Sequence, residues 1–440
     1  MKAVVRFFVN VMQKYLPDAY LFAVVLTLLA FLAAWGLTDS GFMKVVNSWG
    51  NGLWGILAFA MQMTLIVVTG HTMATSRPVK RFLSTLASIP KDNAGAGMLC
   101  AFVAGIASFI NWGFGLIVAA LLARELARKV RNMDYAFVVA AGYGGFIVWH
   151  GGLSGSIPLA LATKGHIMEK VTNGIVPTTE TIFCLPNLII TFLVIFTVPL
   201  LMKIIAPTGS DIRVLDPALL VDAEEPEEPK VKTPAQRLEY SRIITLLLGA
   251  MGVIYLAHYF YLNGALNLSL NIVIFVFMWL GIILHGTPIA YVRAVNEAIK
   301  GAGGIAVQFP LYGGIQGIMV GTGLGAMITN WFIGISTEVT FPFFTFIASG
   351  LLNFFVPSGG GHWVVMGPVN IPAAVELGAS IPKTAMAISY GDQWTNMIQP
   401  FWALPLLGIA KLGAKDIMGY TVMIMFWAGI IFGVGLLVPW

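Results

Sequence analysis

The sequence predicts an all-α polytopic membrane protein, an inverted repeat with two re-entrant hairpins and discontinuous helices. Three observations lead there. Of 440 residues, 58% are hydrophobic and only 10% are charged, whereas a soluble domain carries about 25% charged residues, which argues against a water-soluble enzyme. The apolar residues fall in stretches long enough to cross a bilayer, about 20 residues each. Forty-eight glycines gather at polar interruptions of those stretches, where Gly either lets helices approach closely or marks a break. The 25 Lys and Arg against 20 Asp and Glu sit in short clusters between apolar runs. Such clusters set membrane orientation and give no nucleic-acid surface. Cys100 and Cys184 lie in or beside apolar segments and supply no disulfide scaffold.

In chain order, Lys2, Arg6 and Lys14 stand opposite Val4, Phe8, Val11, Met12 and Tyr15 at helical spacing, which predicts an interfacial amphipathic helix. The run Tyr20 to Leu37 has no A-x-A-like cleavage site and is the first crossing rather than a removed signal. Trp54 to Thr72 crosses next. Arg77, Lys80, Arg81 and Lys91 then mark the cytoplasmic side, which also places the N-terminus there. Residues 94–123 are too long for one untilted crossing, and Arg124, Arg128, Lys129 and Arg131 follow, so both flanks are basic. With Asn111, Gly113 and Gly115 in its middle, this segment reads as a re-entrant hairpin; the alternative is one long tilted helix kinked at glycine. Residues 135–161 lead outward, interrupted by His150-Gly-Gly-Leu-Ser-Gly-Ser-Ile-Pro158, and Thr181 to Met202 returns.

Residues 1–206 thus form an N-terminal half, and 207–241, rich in Asp, Glu, Pro and Lys, form a solvated cytoplasmic linker. The second half, 242–440, opens with an extra helix, Ile243 to Leu262. Leu270 to Leu284 comes back to a loop with Arg293 and Lys300, and Gly304 to Ile328 crosses outward. A second hairpin spans 341–369, broken at Val356-Pro-Ser-Gly-Gly-Gly-His-Trp363. A second broken helix spans 384–410, interrupted at Tyr390-Gly-Asp-Gln-Trp-Thr-Asn-Met-Ile-Gln-Pro400, and Met418 to Pro439 ends the chain. Gly105 falls on Gly350 and Trp149 on Trp394 at an offset of 245 residues, and the order of elements repeats. The extra helix turns the second unit upside down. Inverted repeats whose broken helices meet near the midplane belong to secondary transporters, which bind substrate and ions at the breaks.

The segments Asn-Trp-Gly-Phe-Gly (111–115), Trp-His-Gly-Gly-Leu-Ser-Gly-Ser (149–156), Pro-Ser-Gly-Gly-Gly-His-Trp (357–363) and Tyr-Gly-Asp-Gln-Trp-Thr-Asn (390–396) carry a resemblance. Together they resemble the bacterial short-chain fatty acid transporter family, within the ion-transporter superfamily, over the whole chain except the linker. The resemblance implies a scaffold domain, a mobile transport domain with both hairpins, elevator-type movement and homodimerisation. It also implies inner-membrane uptake of small monocarboxylates such as butyrate and acetoacetate.

Half-helix N-termini present N–H groups and the positive end of a dipole to an anion. The substrate-binding candidates are therefore Asn111, Gly113, Gly115, Ser154, Ser156, Ser358, Gly359, Gly360, Gly361, Thr395 and Asn396. Asp392 is the one carboxylate in a broken segment, and an ionisable residue at membrane depth is a functional candidate by default. It carries a coupling proton, helps hold Na⁺, or pairs with a histidine. His150, His362 and Gln393 are its candidate partners, and Asn111 and Asn396 are the candidate Na⁺ neighbours. The coupling ion is H⁺ or Na⁺, and neither a cofactor nor a transition metal is expected. No Arg falls in a broken segment, which favours a monocarboxylate over a dicarboxylate. Trp112, Trp149, Trp363, Trp394, Phe354 and Phe355 are candidates to line an acyl-tail pocket. A Na⁺-coupled dicarboxylate or peptide carrier of the same superfamily is the alternative. A channel explains the glycines but not the opposed hairpins. Gly152-Leu-Ser154-Gly155 also fits an intramembrane serine protease, but His150 is too near in sequence to act as base, leaving His258, His285 or His362.

Overall fold

The computed structural model describes residues 2–15, 19–55, 57–214, 233–264, 270–357 and 359–440. The first half runs through α1 (Lys2–Tyr15), α2 (Ala19–Leu37), the consecutive α3 (Phe42–Gly55) and α4 (Leu57–Ala74), and the short α5 (Arg77–Leu86). It continues with the hairpin arms α6 (Asn93–Ile110) and α7 (Trp112–Lys129), the half-helices α8 (Tyr135–Gly145) and α9 (Ser156–Leu161), and α10 (Leu185–Ile205). The second half contains α11 (Pro234–Glu239), α12 (Arg242–Asn263), α13 (Leu270–His285), α14 (Pro288–Ala298), and the consecutive α15 (Gly303–Gly321) and α16 (Leu324–Gly334). Its hairpin arms are α17 (Phe341–Asn353) and α18 (Gly359–Leu377), its half-helices α19 (Ile381–Thr395) and α20 (Leu404–Ala410), and its last helix α21 (Ala414–Leu437). Among the described residues six helices are long and apolar enough to cross a membrane, and up to eight if each bent pair counts as one span.

The expected order therefore occurs twice, helix, helix, hairpin, discontinuous helix, helix, and in each half the second of these helices is a bent pair. Packing repeats with it. A Cβ on Gly145 of α8 would lie 2.5 Å from the Gly105 backbone nitrogen of α6. A Cβ on Gly391 of α19 would lie 2.4 Å from the Phe346 carbonyl oxygen of α17. In each repeat the discontinuous helix thus touches the first hairpin arm backbone to backbone, which only glycine allows.

Both hairpins are true hairpins. A Cβ on Gly115 of α7 would fall 2.0 Å from Ser108 Oγ of α6, so these arms lie on each other and the single tilted helix is ruled out. Across the second hairpin, Thr345 Oγ1 donates to Asn370 Oδ1 (3.2 Å), and Ser349 Oγ lies 2.7 Å from His362 Nε2.

Several boundaries differ from the sequence reading. The first hairpin extends to Lys129 rather than Ala123, because the charged turn with the Glu125–Arg128 pair stays helical. The second extends to Leu377 rather than Val369; Pro368 and Pro372 lie inside α18 without ending it. The expected crossing 54–72 begins earlier, at Phe42, and α3 and α4 meet at a bend of 41°. The expected crossing 304–328 continues to Gly334 through a 66° bend at Gly323, whose φ of 77° is left-handed and stops α15. The second discontinuous helix starts at Ile381, where Ser380 caps it by accepting from Lys383 N.

The amphipathic α1 lies against α21: a Cβ on Gly419 would be 2.4 Å from Val9 Cα. Linker residues next to α10 are tied to the first repeat. Asn93 Nδ2 donates to Pro207 O (3.0 Å), Arg213 N donates to Asp134 Oδ2 (3.0 Å), and Arg6 pairs with Asp211 (2.8 Å). Burial pushes the Asp134 carboxyl above its usual range, although the Phe137 and Arg213 N–H groups pull the other way. Linker positions 215–232 lie outside the described residues. Leu246, Leu247, Met251 and Ile254 of α12 are exposed, which suits a lipid-facing surface, whereas the polar residues of the two breaks are buried.

Candidate functional site

The first hairpin breaks at one residue. Asn111 is extended (φ −155°, ψ 129°), and its side-chain oxygen accepts from Phe114 N (3.0 Å), ending α6 and capping α7 together. The tip is closed by the break in the α8–α9 helix: Trp112 N donates to Ser154 Oγ (2.9 Å), and Leu153 N donates to Phe109 O (2.7 Å). Backbone groups freed by one break are satisfied by the other, as membrane depth demands.

The second hairpin meets the second discontinuous helix through side chains. Asn353 Nδ2 donates to Thr395 Oγ1 (2.9 Å) and Asn396 Oδ1 (2.8 Å), while Thr395 Oγ1 donates to Gly350 O (2.8 Å). The two discontinuous helices also hold each other. Tyr143 OH donates to Asn396 O (2.7 Å), and His150 N donates to Gln393 Oε1 (2.8 Å). His150 Nε2 accepts from Ile157 N (3.2 Å), so the ring proton sits on Nδ1, which lies 2.9 Å from Asp392 Oδ2. Both residues are fully buried, and the contact is close but not aligned as a hydrogen bond. The second tip arrives at the same place: a Cβ on Gly359 would meet Ser156 at 2.9 Å and Trp149 at 3.0 Å.

Around this crossing, buried polar atoms stand without hydrogen-bond partners. Asn111 Nδ2, Gln393 Nε2, Asn396 Nδ2, and the indole nitrogens of Trp149, Trp363 and Trp402 are donors lacking an acceptor. Asn353 Oδ1 and both Asp392 oxygens are acceptors lacking a donor. Such atoms are expensive in a low-dielectric interior, and their concentration at the meeting of four broken elements makes this crossing the candidate site. No Lys or Arg belongs to these breaks. Among the described residues no three His, Cys, Asp or Glu side chains group as a metal centre.

Most of the residues expected from sequence come together here: Asn111, Ser154, Ser156, Gly359, Asp392, His150, Gln393, Thr395 and Asn396. Gly113 and Gly115 stand differently. The half-helix starts at Trp112, so both lie in its first turn; Gly115 faces Ser108, and a Cβ on Gly113 would meet Ile66 at 2.9 Å. Their lack of a side chain serves close packing. The second half-helix, α18, likewise has Gly359, Gly360 and Gly361 in its first turn. Gly361 faces Gln316 of α15, while Gly360 is exposed with open space around it. Ser358 lies outside the described residues. His362 sits beside the crossing, with Ser349 Oγ at Nε2 and Val356 O 3.2 Å from Nδ1. Ser154 Oγ is taken by the Trp112 N–H.

Sequence reasoning missed Asn353, Tyr143 and Trp402. Asn353 and Tyr143 lie within segments used to align the repeats, but their buried polar groups gave no separate signal. Trp402 follows the break and resembles any interfacial aromatic until its packing is seen.

A family model for short chain fatty acid transporters matches residues 1–438. The chain is 48% identical over 433 residues to an Escherichia coli (strain K12) protein named "Putative short-chain fatty acid transporter", covering 98% of each chain. A Haemophilus influenzae protein of the same name is 47% identical over 441 residues, again with 98% of each covered. The chain belongs to the short-chain fatty acid transporter family. This member of the short-chain fatty acid transporter family is accordingly a multi-pass membrane transporter. Among solved structures, it aligns with the Alcanivorax borkumensis YdaH transporter at 18% identity and TM-score 0.47, covering 95% of this chain and 98% of that one. It aligns with Neisseria gonorrhoeae MtrF at 15% identity and TM-score 0.42, covering 98% and 96%.

Proposed function

We propose that the protein takes up short-chain monocarboxylates such as butyrate and acetoacetate across the bacterial inner membrane, driven by a cation gradient. One observation carries the reading: unpaired N–H donors with no formal positive charge surround the crossing of two discontinuous helices. A carboxylate offers up to four lone-pair positions, which neutral donors satisfy, whereas a dianion would leave its second charge facing buried aromatic rings. The family membership and the names of the two relatives support the same substrate class.

The Asp392–His150 contact is the proposed coupling element. A proton on Asp392 would neutralise the one buried carboxylate at the crossing, and the proton that His150 carries on Nδ1 lies on the nitrogen 2.9 Å from Asp392 Oδ2. Sodium is the second reading, favoured by the unpaired oxygens of Asn353 and Asp392. Alternating exposure would come from an elevator-type movement of the hairpins and discontinuous helices against α2 to α4 and α13 to α16. A cytoplasmic N-terminus and a homodimer complete the proposed arrangement.

Uptake of radiolabelled butyrate into proteoliposomes, with proton and sodium gradients imposed separately, tests this. At least one gradient should drive accumulation, and acetoacetate should compete better than succinate. Accumulation under neither gradient, or stronger competition by succinate, would reject the reading.

A further inference from the structure

Three tryptophans from three different elements meet at the crossing. Trp402 precedes α20, Trp149 lies within the α8–α9 break, and Trp112 starts α7. The ring centroids of Trp402 lie 5.1 Å from Trp149 and 5.2 Å from Trp112. Each is buried to within 3% of complete. Trp402 and Trp149 also keep their indole N–H groups without an acceptor. Buried tryptophan normally pairs its N–H. Two neighbours leaving this group unpaired, next to the unpaired Asn111 Nδ2, form a donor set that no protein group satisfies.

From this we infer that Trp402 and Trp149 determine substrate specificity: their N–H groups hold the carboxylate, and the Trp402 ring, whose aromatic neighbours meet it only tilted or edge-on, forms the wall that limits acyl length, while the Trp149 ring is stacked on His150 and Phe146. The inference rests on the monocarboxylate reading above and deepens it. Indole suits such a ligand because a short fatty acid is itself divided, with one anionic end and an apolar tail. A neutral N–H pairs with the first while the ring packs on the second. Phe146, 5.5 Å from Trp402 by ring centroid, backs this wall, and Phe401 lies at the same centroid separation. A ligand longer than the natural one must displace packed rings.

Two substitutions of the full-length protein separate the two roles. Trp402→Phe keeps a ring and removes the donor. It should raise the KM for butyrate about tenfold in proteoliposomes while preserving the ranking of acetate, butyrate and hexanoate. Trp402→Leu removes the wall and should shift preference toward hexanoate. An unchanged butyrate KM in Trp402→Phe, or an unchanged ranking in Trp402→Leu, would overturn the assignment. If either variant does not fold, the wild-type protein labelled with ¹⁵N-indole tryptophan gives the same decision. Butyrate should shift two indole N–H resonances, and no shift would overturn the assignment. Wild-type vesicles that accumulate none of these acids would instead reject the transport reading itself.

Discussion

The two repeats share an architecture but close their breaks in different chemistry. In the first, the hairpin tip is sealed largely by backbone: Leu153 N to Phe109 O, and Trp112 N to Ser154 Oγ, across a break of one residue. In the second, side-chain amides and a hydroxyl do the sealing, through Asn353, Thr395 and Asn396. Backbone bonds leave no polar atom over. Amides bring two donors and an acceptor each, and here Asn353 Oδ1 and Asn396 Nδ2 remain unpaired. The seal of the first hairpin therefore resembles a fixed clamp, although Asn111 Nδ2 and the Trp149 indole of that repeat stay unpaired, and the second repeat supplies the larger share of the unpaired polar atoms at the crossing.

The largest effect that would sharpen this contrast is expected at Asp392, in the second repeat. Asp392→Asn keeps the volume and removes the titratable charge. Gradient-driven butyrate accumulation should fall to the passive level, while exchange of labelled for unlabelled butyrate across the same vesicles persists. Retained accumulation would move the coupling element elsewhere.

Next come the glycines that make the repeats alike. Gly145→Ala and Gly391→Ala each force a Cβ to within 2.5 Å of a hairpin backbone atom. Both should cost about 3 kcal/mol by overpacking, read as a lowered unfolding midpoint in detergent. Similar losses would support equivalent packing, and a loss in only one would break the equivalence.

Smaller effects should distinguish the seals themselves. Asn353→Leu leaves Thr395 Oγ1 and Asn396 Oδ1 without their donor, and about 2 kcal/mol should be lost, with a raised KM for substrate. Ser154→Ala orphans only the Trp112 N–H and should cost about 1 kcal/mol, with KM little changed. If Ser154→Ala raised KM as much as Asn353→Leu, the first seal would be more than a clamp.

Much of this was legible in the chain. The outer limits of the discontinuous helix, 135 and 161, match the ends of α8 and α9, but its break falls at 146–155 rather than 150–158: α8 already ends at Gly145, and Ser156-Ile-Pro158 open α9. Asn111 was legible too, as a short polar residue where a helix must stop. Boundaries at the aqueous ends were less so: the charged turn Glu125–Lys129 looks like a loop, yet stays helical once its ion pair forms. The packing of Gly113 and Gly115 was not legible for a related reason. A glycine needed for close approach and one needed at a break look identical until the facing atom, here Ile66 or Ser108, is known.

Hydropathy, basic clusters and the repeated order of elements are written locally, so the sequence by itself determined a membrane-embedded inverted repeat with breaks at known places. Partnership is not local. That His150 faces Asp392, 242 positions away, that Asn353 bridges to Asn396, and that Trp402 joins Trp112 and Trp149 were decided only by the tertiary structure. Each depends on how two broken helices cross. Unpaired polar atoms can be identified only after every nearer partner has been assigned.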